Sequence, residues 1–246
     1  MKRQVHLCIL GVILISSDVL AVVHYVSPTG GNVSPYTSWS NAATSVAAAI
    51  AQSSSGDIVN VTNGTYVLSN RISIYGGVTV TSVNGPAVTT LDGNNATCVA
   101  YLNNSNAVLR GFTICNGYGV SLTGGGVTIE DGGTVEQCVI RNNRVWANTV
   151  PIGMGGGVYI TGQGVVRNCL IISNNASCSA SLGVTVRGGG VEITGSPNSP
   201  ISVPCLDSCT LVGNYAKTSG GGVRAEQSAT VRNCIVYGNQ IGRAHV

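Results

Sequence analysis

The sequence predicts an all-β chain built from stacked repeats, and two observations carry that prediction. Triple glycines begin at residues 124, 155, 188 and 220, at spacings of 31, 33 and 32 residues, and each precedes an apolar stretch, a cysteine and an asparagine. Charged residues make up only 9% of the chain, whereas glycine occurs 34 times. Such composition favours β-strands joined by Gly and Asn turns over a helical bundle. Self-similarity at this period is typical of a solenoid, in which each repeat packs on its neighbours.

Residues 1–21 have the pattern of a secretory signal peptide. Lys2 and Arg3 form a basic start, an apolar run covers residues 7–15, and small or apolar residues occupy positions 19–21. This run of about nine residues is too short for a membrane span, which needs about 20. We therefore expect an exported protein.

The charge balance argues against nucleic-acid binding. Of the 12 basic and 9 acidic residues in the chain, Lys2, Arg3 and Asp18 belong to the signal, which leaves ten and eight. A small positive charge spread along a solenoid, without a basic cluster interleaved with aromatic residues, does not match a nucleic-acid interface. No second apolar run is long enough to span a bilayer.

Residues 22–56 are predicted to form an extended, turn-rich segment followed by a short helix. The Ala-rich stretch 41–52 places Val46, Ala49 and Ile50 on one helical face. A helix there would cover the open edge of the first coil, where bare strand edges invite aggregation.

The body of the solenoid is predicted over residues 57–240, with regular repeats from about residue 120. Apolar stretches between Gly and Asn turns predict strands ahead of the repeats. These stretches are residues 58–61, 66–68, 72–74, 78–81, 88–91, 98–102 and 108–114.

Alignment of the four repeats predicts which side chains enter the core. Apolar residues that alternate with polar ones are expected to point inward; they are Val127, Ile129, Val158, Ile160, Val191, Ile193, Val223 and Ala225. The residues between them are expected to point outward, and these are Thr128, Tyr159, Glu192 and Arg224.

Two further columns are predicted to form ladders inside the stack. Equivalent cysteines have parallel Cβ vectors, which suit a disulfide poorly, so we interpret them as small apolar fillers; they are Cys138, Cys169, Cys209 and Cys234. Stacked asparagines can hydrogen-bond from coil to coil and tolerate a left-handed corner; they are Asn143, Asn174, Asn214 and Asn239. Pairing of Cys205 with Cys209, or of Cys178 with a neighbouring loop, is left open.

A fourth column supports the same register through its charges. The residues two before each ladder cysteine alternate in sign, as Glu136, Arg167, Asp207 and Arg232. Like charges placed directly opposite one another would destabilise parallel stacking, so this alternation favours the alignment.

The repeats resemble those of right-handed parallel β-helix proteins. A GGV element at 156–158 followed by IISN at 171–174 is similar to the repeat of the polymorphic outer-membrane-protein type. The opening segment, residues 25–66, resembles the N-terminal part of exported pectate-lyase-like β-helices. The resemblance implies an all-β, right-handed, single-stranded parallel β-helix with a short N-terminal capping helix. Because this fold serves lyases, hydrolases, adhesins and passenger domains, it implies no single activity.

The repeats are longer than the roughly 20–25 residues of one coil in such families, and the excess predicts a binding side. It lies in residues 144–154 and 176–187 and, in the third repeat, in 195–204. An exposed aromatic ring beside arginine can stack on a sugar and pair with its acidic group. We therefore predict carbohydrate binding by Arg144, Trp146 and Arg187.

An enzyme is the alternative, although no catalytic residue is assigned. A lyase of the resembled family uses Arg or Lys as base and binds Ca²⁺ through acidic residues. Lys217, Arg224, Glu192 and Glu226 lie on neighbouring levels and could form such a group. The strings typical of polygalacturonases and pectate lyases are absent, and no histidine lies in the repeats.

The leading hypothesis is an exported or cell-surface protein, an adhesin-like or passenger-like scaffold that binds glycans or surfaces. The alternative is a pectate-type polysaccharide lyase acting by β-elimination. No metal or cofactor is expected, except Ca²⁺ for the lyase. Residues 241–246 depart from the repeat pattern. We expect them to be a non-native tail on a truncated chain, whose missing region could anchor the protein at the outer membrane.

Overall fold

The computed structural model describes residues 20–120, 123–147, 152–178, 185–195 and 203–242. The predicted signal, apart from residues 20 and 21, and the end of the predicted tail, residues 243–246, lie outside these ranges. One helix, α1, covers Val46–Gln52. The strands ahead of the regular repeats are β1 Val23–Val26, β2 Ile58–Val61, β3 Gly64–Val67, β4 Ile72–Ile74, β5 Thr79–Ser82, β6 Thr89–Asp92, β7 Ala100–Leu102, β8 Val108–Arg110, β9 Thr113–Cys115 and β10 Tyr118–Gly119.

The repeats supply the remaining described strands. These are β11 Val127–Ile129, β12 Gly133–Glu136, β13 Val139–Arg141, β14 Arg144–Ala147, β15 Ile152–Met154, β16 Val158–Thr161, β17 Gly164–Arg167, β18 Leu170–Ile172, β19 Asn175–Cys178, β20 Thr185–Arg187, β21 Val191–Thr194, β22 Cys205–Asp207, β23 Thr210–Val212, β24 Tyr215–Ala216, β25 Val223–Glu226, β26 Thr230–Arg232, β27 Ile235–Tyr237 and β28 Gln240–Ile241.

Successive coils of the chain stack these strands into long parallel sheets. Sheet 1 has the order β1-β2-β5-β8-β12-β17-β22-β26, sheet 2 the order β27-β23-β18-β13-β9-β6-β3, and sheet 3 the order β25-β21-β16-β11-β7-β4. Sheet 4 has the order β10-β14-β19-β24-β28, and sheet 5 consists of β15 and β20. Equivalent residues of consecutive repeats pair directly, for example Val127 with Val158 and Val158 with Val191. The chain is a parallel β-helix.

Among the boundaries that differ from the sequence-based prediction, two have a clear physical cause. The helix begins at Val46 rather than near residue 41, because Ala43 forms a parallel bridge with Val26 and so belongs to the first coil. The stretch predicted as one strand over 108–114 is two strands, because the chain turns a corner at Gly111, whose φ is +77°. Glycine reaches this left-handed conformation without steric cost.

The predicted inward columns form the core. Val127, Ile129, Ile160 and Ile193 are completely buried, as are their equivalents in the first three repeats. In the last repeat Val223 is half-buried and Ala225 is exposed, because no further coil within the described residues packs on β25.

Two of the residues predicted to point outward are in fact buried, namely Thr128 and Glu192. The triple-glycine turns approach the outer face of sheet 3, and the Gly124 N–H donates a hydrogen bond of 2.9 Å to the Thr128 hydroxyl. These turns stack so closely that a Cβ on Gly125 would lie 2.2 Å from the Gly156 oxygen. Any side chain larger than hydrogen is therefore excluded there.

The asparagine ladder is confirmed. Each buried amide donates from Nδ2 to the Oδ1 of the next, over 3.0 Å from Asn143 to Asn174, 3.0 Å from Asn174 to Asn214 and 2.8 Å from Asn214 to Asn239. The left-handed residue at this corner is not the ladder asparagine but the one before it, such as Asn142 with φ +55° or Gly213 with φ +62°. The ladder amide itself is therefore selected for hydrogen bonding.

The cysteine column is also confirmed as a stack. Leu170 N–H donates to the Cys138 oxygen and Thr210 N–H to the Cys169 oxygen, so the cysteines lie on consecutive coils. The cysteines of the described residues are all free thiols, including Cys178, Cys205 and Cys209. The disulfides left open by the sequence are therefore not formed.

The free thiols give a direct prediction. Without reductant, denatured protein should react with iodoacetamide at Cys98, Cys115, Cys178 and Cys205 and at the four ladder cysteines, and native protein should protect those that are buried. Peptide mass mapping with and without denaturant measures both states. A bonded Cys205–Cys209 peptide would contradict the structure.

The alternating charges pair as the register requires. Arg167 lies 2.6 Å from the Glu136 carboxylate, and Arg232 lies 2.8 Å from Asp207. Arg110 of the preceding coil, which the sequence alignment missed, pairs with Glu136 as well. Although burial raises the pKa of Glu136, hydrogen bonds from the two arginines lower it below its usual range.

Candidate functional site

The long insertions of the repeats form a second layer of strands where the sequence predicted loops. In the first insertion the chain leaves the coil along β14 and returns along β15. In the second it leaves along β19 and returns along β20, so that sheets 4 and 5 face each other. We call sheets 4 and 5 the ledge. Its interior is a small apolar cluster of Val145, Ala147, Ala176, Cys178, Val186 and Ala216. This cluster holds the ledge strands in fixed positions.

The outward side of sheet 4 carries aromatic and basic side chains. Arg144 and Trp146 alternate with the buried Val145 and Ala147, so both project outward, and Trp146 is 38% exposed. We call this surface the ledge face and define it by Tyr118, Arg144, Trp146, Tyr215 and Lys217.

Neighbouring coils hold the basic groups of the ledge face in place. The Arg144 guanidinium lies 4.9 Å from the centroid of the Tyr118 ring, a cation–π distance. The Lys217 ammonium donates a hydrogen bond of 3.2 Å to the Cys178 oxygen. Tyr215 pairs with Asn175, which pairs with Arg144, so these residues form one outward column. The described strands of sheet 4 contain neither Asp nor Glu.

The predicted binding trio is therefore divided. Arg144 and Trp146 share the ledge face, but Arg187 ends β20 in the opposite sheet. Its guanidinium lies 3.8 Å from the Glu226 carboxylate. Arg187 belongs to a different group of residues, which we call the carboxylate cluster: Arg187, Glu192, Arg224 and Glu226.

Glu192 is the buried centre of the carboxylate cluster. Its side chain has no exposed surface, and Oε1 accepts a hydrogen bond of 2.6 Å from Arg224. Neither Glu192 Oε2 nor Thr194 Oγ1 has a hydrogen-bond partner among the described residues. Burial is the main cause that raises the pKa of Glu192; with the lowering effect of Arg224 and the smaller raising effect of Glu226, the pKa is about 7.

The cluster lacks one member of the predicted lyase group. Arg224 contacts both Glu192 and Glu226, whereas Lys217 lies on the ledge. Burial lowers the pKa of Arg224, but the two carboxylates raise it above its usual range overall. Its guanidinium therefore stays protonated and is a poor general base.

Tyr118 and Tyr215 of the ledge face were missed by sequence reasoning. A signal for them exists, because Tyr215 directly follows the ladder residue Asn214 just as Arg144 follows Asn143. Extending the repeat alignment one position beyond the ladder would have placed Tyr215 in the outward column of Arg144, whereas Tyr118 lies one coil upstream of the aligned repeats.

Two features are absent from the described ranges. No group of three or more His, Cys, Asp or Glu side chains there is arranged to hold a metal ion. No helix in that part of the chain is long and apolar enough to cross a membrane.

Comparison with solved structures gives distant matches. One is pectate lyase Pel9A, with 14% identity and a TM-score of 0.43, covering 86% of this chain and 78% of that one. Another is the pectin methylesterase from Aspergillus niger in deglycosylated form, with 12% identity and a TM-score of 0.34, covering 91% of this chain and 88% of that one. No protein-family model and no curated protein matches the sequence. At these identities the matches concern only the architecture, which the strand pairing already defines.

Proposed function

We propose that this chain is an exported β-helix scaffold that binds acidic glycans through the ledge face. The observation that carries the proposal is the composition of that face: three aromatic rings and two cations on the strands of sheet 4, or directly after one, and no carboxylate on those strands. Export rests on the signal pattern of residues 1–21. Secretion or display at the cell surface follows from it, and an anchor would lie outside the described residues.

The chemistry of the ledge face suits a sugar acid. The exposed part of the Trp146 ring offers an apolar surface on which the C–H face of a pyranose can stack. Arg144 begins the same strand two residues earlier, and a guanidinium binds a carboxylate with two parallel hydrogen bonds. One ring and one cation can therefore recognise a single uronate unit.

The ledge face is also suited to a polymer. Its outward column repeats from coil to coil at the spacing of neighbouring parallel strands, about 4.8 Å. Tyr118, Arg144 and Tyr215 thus lie along one line across β10, β14 and β24. Because the ledge has its own apolar core, these groups need little ordering when a ligand binds.

Trp146→Ala is expected to weaken binding of polygalacturonate by about tenfold or more, since stacked aromatic residues dominate such interfaces. Arg144→Gln should weaken binding of polygalacturonate but leave binding of its methyl ester almost unchanged, because the lost interaction is with the carboxylate. Affinity electrophoresis or calorimetry on the purified protein measures both.

Trp39→Ala is the matched control. Trp39 is 43% exposed, similar to Trp146, but it packs on Tyr25 at the N-terminal end of the β-helix. The proposal is wrong if the wild type binds no acidic glycan, or if Trp39→Ala and Trp146→Ala weaken binding equally.

A lyase remains the second candidate, because the structure does bring Glu192, Arg224 and Glu226 together, although the raised pKa of Arg224 counts against it as the base. Its test is the ultraviolet absorbance of unsaturated products formed from polygalacturonate with Ca²⁺. Turnover that is abolished by Arg224→Gln, while Trp146→Ala only weakens binding, would favour the enzyme over the scaffold.

A further inference from the structure

A cleft of about 440 Å³ lies between α1 and sheet 3, at the N-terminal end of the β-helix. This volume falls within the range of small-molecule sites, about 300–1,000 Å³. The cleft is separate from the ledge face and from the carboxylate cluster. Its lining consists of Ala47, Ile50, Ala51, Ser53, Arg71, Ser73, Tyr75, Gly76 and Val78.

Strand β4 supplies the polar side of the cleft. Ile72 and Ile74 are completely buried, so the alternating Ser73 of β4 and its flanking residues Arg71 and Tyr75 project outward. The opposite wall comes from α1, where Ala47, Ile50 and Ala51 present only apolar atoms. The cleft is thus apolar on one side and polar on the other.

Arg71 packs against an aromatic ring and forms no ion pair with a described carboxylate. Its guanidinium lies 4.3 Å from the centroid of the Tyr101 ring. The Tyr101 hydroxyl is itself fixed, since it donates to Glu130 and accepts a hydrogen bond of 3.1 Å from Asn103. Within the described part of the chain, no carboxylate lies within ion-pair distance of Arg71.

Two further features point to a ligand at Arg71. A second cleft of about 240 Å³, which Tyr118 of the ledge face also lines, has Arg71 in its wall, so the guanidinium borders open space on two sides. The Tyr75 ring is 62% exposed and tilted against Tyr101, with a centroid distance of 5.6 Å. An exposed ring beside an uncompensated arginine offers a stacking surface and an anion site together.

We propose that this cleft binds a small amphipathic carboxylate. The apolar ring or chain of the ligand packs between α1 and Tyr75, and its carboxylate accepts two hydrogen bonds from Arg71. A single cation lines the cleft, so a singly charged carboxylate matches it better than a phosphate monoester. None of the residues that line this cleft belongs to the ledge face.

The test compares two probes of nearly equal shape, cinnamate and cinnamyl alcohol, by isothermal titration calorimetry on the purified protein. Cinnamate is expected to bind, and cinnamyl alcohol to bind at least about tenfold more weakly, because it cannot form the bidentate pair. Arg71→Gln should lower the affinity for cinnamate about tenfold or more and abolish the difference between the probes. Arg71→Lys, which keeps the charge but not the planar fork, should give an intermediate affinity.

Two further variants make the result specific. Arg141→Gln removes an exposed arginine from sheet 2, away from the cleft, and should leave cinnamate binding unchanged. Ala51→Leu fills the cleft from the α1 side and leaves Arg71 unsubstituted. It should weaken cinnamate binding, and it therefore tests the site even if Arg71→Gln disturbs folding. The proposal is overturned if wild type does not bind cinnamate, if it binds both probes equally, or if Ala51→Leu binds cinnamate as well as wild type does. Binding of polygalacturonate by the same variants is measured as a separate test of the ledge face.

Discussion

Replacing Asn174 by alanine is expected to lower the free energy of unfolding by about 3–5 kcal/mol, a large part of the stability of a domain of this size. The substitution removes hydrogen bonds from the Asn174 amide to the Ile140 oxygen and to Asn214, and those that Asn143 donates from its backbone and side chain. These groups are buried, so water cannot replace the lost partner. Urea denaturation followed by circular dichroism measures the change.

Asn175→Ala is the matched control, since it removes the same side chain at the next position. Asn175 is exposed, and its side chain accepts a hydrogen bond only from Ser177 among the bonds the structure defines. We expect a change within about 0.5 kcal/mol, as is usual for surface substitutions. Equal effects of the two variants would show that the ladder contributes no more than an ordinary surface amide.

The ladders show why the sequence predicted the architecture so well. A solenoid converts sequence repetition into vertical stacking, so equivalent residues such as Asn143 and Asn174 must meet. The same logic gave the charge column, and it would have found Arg110 had the alignment been extended one coil upstream. The register between consecutive coils can therefore be predicted from the alignment of the repeats.

The candidate sites were predicted less completely, because they depend on how insertions fold. Residues 144–154 contain no repeat that could show that β14 and β15 enclose Val145 in a second core. Alternation alone placed Glu192 on the outside of sheet 3, and it does not reveal that neighbouring turns and Arg224 cover that position. Arg71 was missed because its position depends on packing against the Tyr101 ring, and Tyr101 lies 30 residues later and one coil away.

Glu192 is expected to make the stability of the protein fall as pH rises from about 4.5 to about 7. Its pKa is 4.5 without the fold and about 7 within it, so the folded state binds the proton more tightly across this window. The favourable contribution is complete below pH 4.5 and is lost as pH passes through 7; it amounts to about 3 kcal/mol. Asp57 and Glu136 act in the opposite direction, because their lowered pKa values give stability that is lost on acidification. Stability should therefore be highest near pH 5.

Glu192→Gln tests this assignment, because glutamine has nearly the same shape and no titration. The variant should lose the decline in stability between pH 5 and pH 8, and it should be more stable than wild type at pH 8, where the wild type holds a buried, half-paired carboxylate. Glu226→Gln is the control: it removes the other carboxylate bound to Arg224 but keeps the buried one, so the decline should persist. Thermal melts of the three proteins across pH 4–9 measure these slopes. If Glu226→Gln abolishes the decline and Glu192→Gln does not, the titrating group is not the buried carboxyl, and the unpaired Oε2 needs another explanation.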